Sequence, residues 1–139
     1  MFWSTQTKLK GLTPAIGASP NFVLPQKVLS DSNNIKVVCA QPVRGHYIQG
    51  LKNMEEAIVP AIYDPSRIDI QEMIESEEAI EMARQIILNE GIFAGMSSGA
   101  ALLAATRVAT RIPEGNIVVV FPDRAEKYLS TTMFERYGD

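Results

Sequence analysis

The stretch from Glu90 to Leu103 contains the residue types best placed to do chemistry. Its sequence predicts that one helix ends near Gly91 and that another begins at the paired serines Ser97 and Ser98. The first four N–H groups of a helix have no partner inside the helix. Two interpretations follow. Either the serines cap the helix beside a closely packed Gly99, which is the commoner case, or the helix start binds a ligand.

Asp123 and Arg124 form a second candidate pair, because they follow the apolar run of residues 116–121. In open α/β sheets, residues just beyond the carboxyl ends of parallel strands line the ligand crevice. Asp123 and Arg124 are therefore placed to contact a ligand. The alternative is a local turn in which the carboxylate pairs with the neighbouring guanidinium.

His46 and Cys39 are weaker candidates. His46 lies in a long connection, residues 43–54, of the kind that carries binding residues after a parallel strand. No carboxylate partner stands at a fixed spacing from it, so a surface residue is expected rather than a catalytic base. Cys39 lies in an apolar run and is expected to be a small buried hydrophobe. A lone cysteine excludes an intrachain disulfide, and no metal site is predicted.

The composition is that of an ordinary soluble globular protein. Of the 139 residues, 46% are hydrophobic and 21% charged, and the formal net charge is −3. No run of lysine and arginine is present to neutralise phosphates, so nucleic acid is not an expected partner. The start of the chain lacks the apolar core of a signal peptide, and no run approaches membrane-spanning length. A cytoplasmic protein is expected.

Hydrophobic periodicity predicts an irregular N-terminal segment, residues 1–34, and a single α/β domain, residues 35–139. A short strand is possible at residues 12–17. The domain is predicted to alternate strands and helices, which indicates a parallel sheet flanked by helices. The predicted strands are residues 35–40, 68–74 and 116–121, and the predicted helices are residues 76–90 with Ser76 as the cap, 100–109 and 126–134.

Three segments together resemble one family: residues 48–54, residues 90–101, and Pro122-Asp123-Arg124 with residues 128–131. The chain looks like the C-terminal half of a B-type cysteine synthase (O-acetylserine sulfhydrylase). These are pyridoxal-phosphate enzymes of fold type II, the tryptophan-synthase-β-like fold. The resemblance implies that fold, a pyridoxal phosphate cofactor, and replacement of the activated hydroxyl of a serine derivative by a sulfur donor.

The resemblance also implies site residues. Ser97 matches the residue whose hydroxyl meets the pyridine nitrogen of the cofactor. A neutral hydroxyl is expected to leave that ring neutral, a weaker electron sink that suits β-elimination and replacement better than transamination. Gly50 matches a loop glycine near the Schiff base, where a side chain would collide. Asp123 matches a strand-end residue of the B-type site and is a candidate to handle a proton.

Two departures from the family pattern concern the binding of the cofactor. At the matching phosphate loop, residues 16–20, only Gly17 keeps glycine character, and Pro20 removes an N–H donor. The Schiff-base lysine belongs to the family's N-terminal half. None of the lysines here occupies the matching motif: Lys8, Lys10, Lys27, Lys36, Lys52 and Lys127.

These departures leave the activity of the chain open. The expectation is a truncated or remnant cysteine synthase-like chain that is inactive alone. The alternative is a non-catalytic α/β module or a split-enzyme subunit that acts through a partner chain. The expected partners are further copies of the chain, as a homo-oligomer, or a complementing chain that supplies the N-terminal half.

Overall fold

A four-stranded parallel sheet organises the computed structural model, which describes residues 15–17, 35–61 and 63–135. The strands run in the order β3-β2-β1-β4. They are β1 (Ala15–Gly17), β2 (Val37–Pro42), β3 (Ile70–Ile74) and β4 (Val118–Val119). The helices are α1 (Ser76–Glu90) and α2 (Met96–Ala109), and short 3-10 turns lie at Pro65–Arg67 and Ala125–Tyr128. The predicted parallel sheet with flanking helices is confirmed.

Strand β2 lies in the interior of the sheet, as its continuous apolar run predicts. It pairs with β3 from Val38, opposite Ile70, to Pro42, opposite Ile74. The predicted end at residue 40 was wrong. Pro42 lacks only its own N–H, and the ladder continues because the N–H of Val43 donates to the carbonyl oxygen of Ile74 at 3.1 Å.

Strand β1 lies within residues 1–34, the segment predicted to be irregular. Its backbone pairs with β2 on one side and with β4 on the other. The possible strand at residues 12–17 therefore corresponds to Ala15–Gly17. The remainder of residues 1–34 lies outside the described residues, and the division of the chain at residue 35 stays a prediction.

Helix α1 forms as its periodicity predicts, with a buried stripe that includes Ala79, Ile80, Ala83 and Ile86. It ends at Gly91, whose φ of 68° is a left-handed conformation that glycine adopts readily.

The start of α1 differs from the prediction. Glu75 occupies the cap position and makes no side-chain cap bond. The Ser76 hydroxyl instead accepts a hydrogen bond from the N–H of Tyr47 at 3.1 Å. This serine ties the connection after β2 to the helix, so its capping role was wrong.

Two predicted elements are shorter than expected. Strand β4 comprises two residues rather than residues 116–121. Within the described sheet it is an edge strand that pairs only with β1, and its residue Val118 is 50% exposed. The predicted helix of residues 126–134 is replaced by the turn at Ala125–Tyr128 and further tight turns. These turns bury both Tyr128 and Met133, whereas an α-helix would place residues five apart about 140° apart around its axis.

Two arginines attach the end of α2 to the rest of the domain. Arg107 donates to the carbonyl oxygen of Met73 at 2.7 Å and to both carboxylate oxygens of Glu78 at 2.8 Å. Arg111 pairs with the buried carboxylate of Glu72 on β3. These contacts tie the end of α2 to β3 and to the first turn of α1. Within the described parts of the chain, no helix is long and apolar enough to cross a membrane.

We expect Gly99→Ala to destabilise the protein by about 1 to 3 kcal/mol because it overpacks the contact between α1 and α2. A Cβ at Gly99 would lie 2.7 Å from the backbone nitrogen of Ala83 and 2.9 Å from its Cβ. At an open helical site the same change would stabilise by about 1 kcal/mol. Urea unfolding measures the sign. A Gly99→Ala chain as stable as wild type would contradict the close contact.

Candidate functional site

The carboxylate of Asp123 accepts hydrogen bonds from three side-chain hydroxyl groups. Ser97 donates to Oδ1 at 2.8 Å and Ser98 donates to the same oxygen at 2.9 Å. Tyr128 donates to Oδ2. We call these four residues the Asp123 cluster. Since hydrogen bonds to a charged acceptor are stronger than those between neutral groups, the cluster is a strong polar link between separate segments.

Backbone contacts place Asp123 against the start of α2. The N–H of Gly95 donates to the carbonyl oxygen of Asp123 at 3.3 Å, and the N–H of Ala125 donates to the carbonyl oxygen of Phe93 at 2.9 Å. Ala94 and Arg124 form an antiparallel bridge between these contacts. The segment that leaves β4 therefore runs beside the segment that leads into α2.

The close approach of the Asp123 segment to the start of α2 requires a glycine at position 95. A Cβ built on Gly95 would lie 2.6 Å from Cγ of Asp123 and would also overlap the ring of Tyr128. Gly95 is the N-cap of α2 and makes no side-chain cap bond. Ser97 and Ser98 lie inside the first turn and direct their hydroxyls to Asp123. The interpretation of these serines as the helix cap was therefore wrong, whereas the close packing expected at Gly99 is present.

The Gly50 loop contacts the Asp123 cluster from the side of β2. A Cβ at Gly50 would lie 3.6 Å from Oγ of Ser97 and 3.8 Å from Oη of Tyr128, which are ordinary contact distances. Glycine is favoured there by a φ of +88° rather than by crowding within the chain. The loop is anchored by the buried side chain of Asn53, which donates to the carbonyl oxygen of Pro42 at 2.8 Å.

The negative charge of Asp123 is balanced by helix α2 and by hydroxyl groups rather than by a cation. Its carboxylate lies at the amino end of α2, where the helix dipole favours an anion. Arg124 points elsewhere and pairs with Glu126 at 2.6 Å. The turn in which Asp123 pairs with Arg124 was therefore the wrong alternative. In the described ranges, no salt bridge joins Asp123 to a basic side chain.

Tyr128 is 4% exposed and closes one side of the Asp123 cluster. Burial, together with the hydrogen bond to Asp123 and the carboxylate charge, raises the pKa of the Tyr128 phenol well above its ordinary value. The phenol therefore stays protonated and acts as a donor across the physiological pH range.

The structure brings together three of the predicted site residues, Gly50, Ser97 and Asp123. The fourth, Gly17, ends β1, and the residues that follow it, 18–34, lie outside the described ranges. Sequence reasoning did not select Ser98, Gly95 or Tyr128 as site residues. All three lie in segments that carry the family resemblance, residues 90–101 and 128–131, and that resemblance is the signal that could have selected them.

The weaker candidates do not join the Asp123 cluster. His46 is partly buried, and its Nδ1 has no hydrogen-bond partner. Cys39 is also partly buried, and burial raises the pKa of its thiol, which disfavours the reactive thiolate. No group of three or more histidine, cysteine, aspartate or glutamate side chains suited to a metal ion occurs among the residues that the structure describes.

We expect Tyr128→Phe to lower the free energy of unfolding by about 1 to 3 kcal/mol at neutral pH, because a partly buried carboxylate loses a hydrogen-bond donor. Because the pKa of the Tyr128 phenol is raised in the native state, its hydrogen bond stabilises the fold fully below the ordinary tyrosine pKa of about 10. This contribution declines as the pH rises from there through the native pKa. The difference between wild type and variant should therefore shrink above about pH 10.

Denaturant unfolding between neutral and alkaline pH checks this expectation. Tyr47→Phe is the matched control, because the Tyr47 phenol also donates to a carboxylate, that of Glu77 at 2.5 Å, but is exposed. Equal effects of the two substitutions would contradict the buried cluster.

Comparison with known proteins identifies the family. Residues 8–123 match the family model described as pyridoxal-phosphate dependent enzyme. The chain is 42% identical over 106 residues to a cysteine synthase of Aquifex aeolicus, an alignment that covers 73% of this chain and 32% of that protein. It is 30% identical over 122 residues to cysteine synthase B of Pseudomonas aeruginosa, covering 87% of this chain and 41% of that protein.

Solved structures show the same likeness. The crystal structure of an O-ureido-L-serine synthase matches with a TM-score of 0.73 and 28% identity, covering 95% of this chain and 44% of that one. The chain thus spans roughly a third to two fifths of the curated relatives above. The fold is that of fold type II pyridoxal-phosphate enzymes. This chain belongs to the pyridoxal-phosphate dependent enzyme family, and the two curated relatives above are cysteine synthases.

Proposed function

We propose that Gly50, Ser97 and Asp123 form the wall of a pyridoxal phosphate site that faces the pyridine nitrogen. The reaction of this site would be that of a cysteine synthase, the replacement of the activated hydroxyl of a serine derivative by a sulfur donor. The observation that carries the proposal is the bond from Ser97 to Asp123 at 2.8 Å, formed beside the Gly50 loop. The similarity to cysteine synthases supports it.

The residues present fit the ring of this cofactor. A ring nitrogen needs one hydrogen-bonding partner, and the Ser97 hydroxyl supplies it in a buried position. Gly50 has no side chain in front of that hydroxyl, which leaves room for an approaching ring atom. When bound, pyridoxal phosphate supplies an electron sink for bond breaking at an amino-acid carbon.

The chain's own residues have distinct proposed roles. Ser97 holds the ring nitrogen, and Asp123 fixes the direction of the Ser97 hydroxyl. Tyr128 covers the other carboxylate oxygen and excludes water from it. Gly17 is proposed to help bind the cofactor phosphate, since it ends β1 on the same edge of the sheet as the loop after β2.

We propose further that this chain alone does not bind the cofactor covalently. An amine nucleophile requires a desolvated position or a nearby charge that lowers its pKa. Lys36 instead pairs with Asp69 at 2.8 Å, and Lys52 and Lys127 are exposed. These three lysines of the described residues therefore offer no such environment.

Incubation with pyridoxal phosphate, followed by borohydride reduction and peptide mass spectrometry, tests this point. We expect scattered, substoichiometric modification of surface lysines that is unchanged by Ser97→Ala. Stoichiometric modification of one lysine in wild type that disappears in Ser97→Ala would overturn the proposal that this chain alone does not bind the cofactor covalently.

Coexpression then tests the proposed reaction. We expect the chain, together with the N-terminal part of the Aquifex aeolicus cysteine synthase, to form cysteine from O-acetylserine and sulfide. The Ser97→Ala chain should lose most of this activity, whereas Ser66→Ala, at an exposed serine in the turn at Pro65–Arg67, should not. No cysteine formation by the wild-type pair would count against catalysis in trans.

A second candidate function is a non-catalytic module that docks on another chain. The observation that favours it is the exposed apolar edge of the sheet at Val118, with Leu129 exposed as well. An exposed apolar edge strand is a surface on which other strands pair.

If this edge mediates association, Val118→Lys should reduce self-association in concentration-dependent light scattering, because a charged side chain opposes edge pairing. Met73→Lys is the matched control, since Met73 is an exposed residue of β3 at the other edge of the described sheet. Equal effects of the two substitutions would remove the argument for β4.

A further inference from the structure

The side chain of Asn53 closes the connection that carries the Gly50 loop. Its Nδ2 group donates to the carbonyl oxygen of Pro42 at 2.8 Å, at the end of β2. Its Oδ1 atom accepts a hydrogen bond from the N–H of Glu55 at 2.8 Å. One amide group therefore joins the two ends of residues 43–52 and also fixes the turn that follows them.

The surroundings of Asn53 require both of these bonds. Asn53 is 2% exposed, so water cannot replace a partner that is lost. Its backbone carbonyl oxygen also accepts from the N–H groups of Glu56 at 3.2 Å and Ala57 at 3.0 Å. A buried polar group left without its partner costs more than the net contribution of one hydrogen bond. The position therefore needs a short side chain that donates and accepts at the same time, as a carboxamide does.

Two further contacts close the same connection, and both are exposed. Arg44 pairs with Glu55 at 2.6 Å, and the N–H of Gly45 donates to the Glu56 carboxylate at 3.2 Å. An exposed ion pair contributes little because water and salt screen it. Among these closing contacts, the buried one made by Asn53 is expected to determine where the connection lies.

The position of the Gly50 loop depends on this closure. Gly50 has a φ of +88°, and the turn around it is formed by the N–H of Leu51, which donates to the carbonyl oxygen of Ile48 at 3.4 Å. A Cβ built on Gly50 would lie 3.6 Å from Oγ of Ser97. A displacement of the loop by about 1 Å would therefore narrow or widen the space beside that hydroxyl, and errors of this size are costly in a binding site.

We propose that Asn53 is a positioning residue that holds the Gly50 loop at the distance from α2 that the cofactor ring needs. This inference rests on the proposed function, because it assumes that a ring binds beside Gly50. Asn53 acts through the backbone of the loop rather than by touching the ring. A loop that is fixed in advance binds a ring without the entropic cost of ordering the loop.

The test measures the affinity of the full chain for 4-deoxypyridoxine 5′-phosphate, a cofactor analogue that has no aldehyde and so forms no bond to a lysine. Asn53→Asp keeps the size of the side chain but removes the donor when the new carboxyl group is ionised. We expect the dissociation constant of the variant at about pH 8 to be about tenfold above that of wild type, the effect of losing one buried hydrogen bond.

Acidification should restore the affinity of Asn53→Asp. Burial and the neighbouring carboxylates of Glu55 and Glu56 favour the protonated form of the new carboxyl group, which can donate to Pro42 again. At about pH 5 the variant should therefore bind the analogue as wild type does at the same pH. His46 is common to both chains, so a comparison at equal pH removes its contribution.

Two controls separate positioning from charge and from general stability. Ile58→Asp adds the same carboxyl group at a 96% exposed position in the segment after Asn53. Ile86→Val removes a methyl group from a buried side chain of α1 and so lowers stability. Both chains should bind the analogue with wild-type affinity. A loss in either control as large as that in Asn53→Asp would overturn the inference.

The other outcomes separate this inference from the proposed function. Equal affinity of wild type and Asn53→Asp at both pH values, or a loss that persists at the acidic pH, overturns the inference and leaves the proposed site standing. Absence of amide shifts at Gly50 and Ser97 of wild type with saturating analogue overturns both. If Asn53→Asp folds only at acidic pH, the neutral and shorter Asn53→Ser replaces it at about pH 8, and affinity equal to wild type there overturns the inference.

Discussion

The convergence of three hydroxyl donors on the Asp123 carboxylate is the interaction on which the rest of the site depends. It joins the segment after β4 to the first turn of α2 and to the turn at Ala125–Tyr128. Ser97 and Ser98 share Oδ1 from the first turn of α2, whereas Tyr128 reaches Oδ2 from a separate turn, so loss of the carboxylate would release all three donors. Because the cluster is largely buried, an unpaired group within it would cost more than the net contribution of a single hydrogen bond.

Helix α2 holds this cluster in place through contacts along its whole length. At its start, Gly95 permits Asp123 and Tyr128 to approach closely. In its first turns, Gly99 lets α2 pack directly on the backbone of α1. Near its end, Arg107 reaches the carbonyl oxygen of Met73 on β3. A helix fixed at both ends and packed along its side presents Ser97 in one orientation.

Parallel topology explains why residues distant in sequence meet here. The carboxyl ends of adjacent parallel strands lie at one edge of a sheet, and the loops that follow them converge. The Gly50 loop follows β2 and Asp123 follows β4, with β1 between these strands. Helix α2 returns the chain to the same edge at its amino end. The candidate site is therefore a consequence of strand order as much as of side-chain chemistry.

Hydrophobic periodicity identified α1, the interior strand β2 and the parallel arrangement, because burial on one face or two leaves a repeat in the chain itself. The same signals overestimated β4 and the final helix. The run of residues 116–121 is as apolar as an interior strand, but β4 pairs on one side only in the described sheet. At the end of the chain, tight turns bury Tyr128 and Met133 in a way that no helical repeat encodes.

The sequence by itself determined the family and proposed Gly50, Ser97 and Asp123 as candidate site residues, since residue order and spacing carry that information. Only the tertiary structure decided what the serines do. The sequence favoured a helix cap, whereas the structure directs both serine hydroxyls to Asp123. The direction of a hydroxyl proton depends on which acceptor the fold brings within 3 Å, and that acceptor, Asp123, lies 26 residues from Ser97 along the chain.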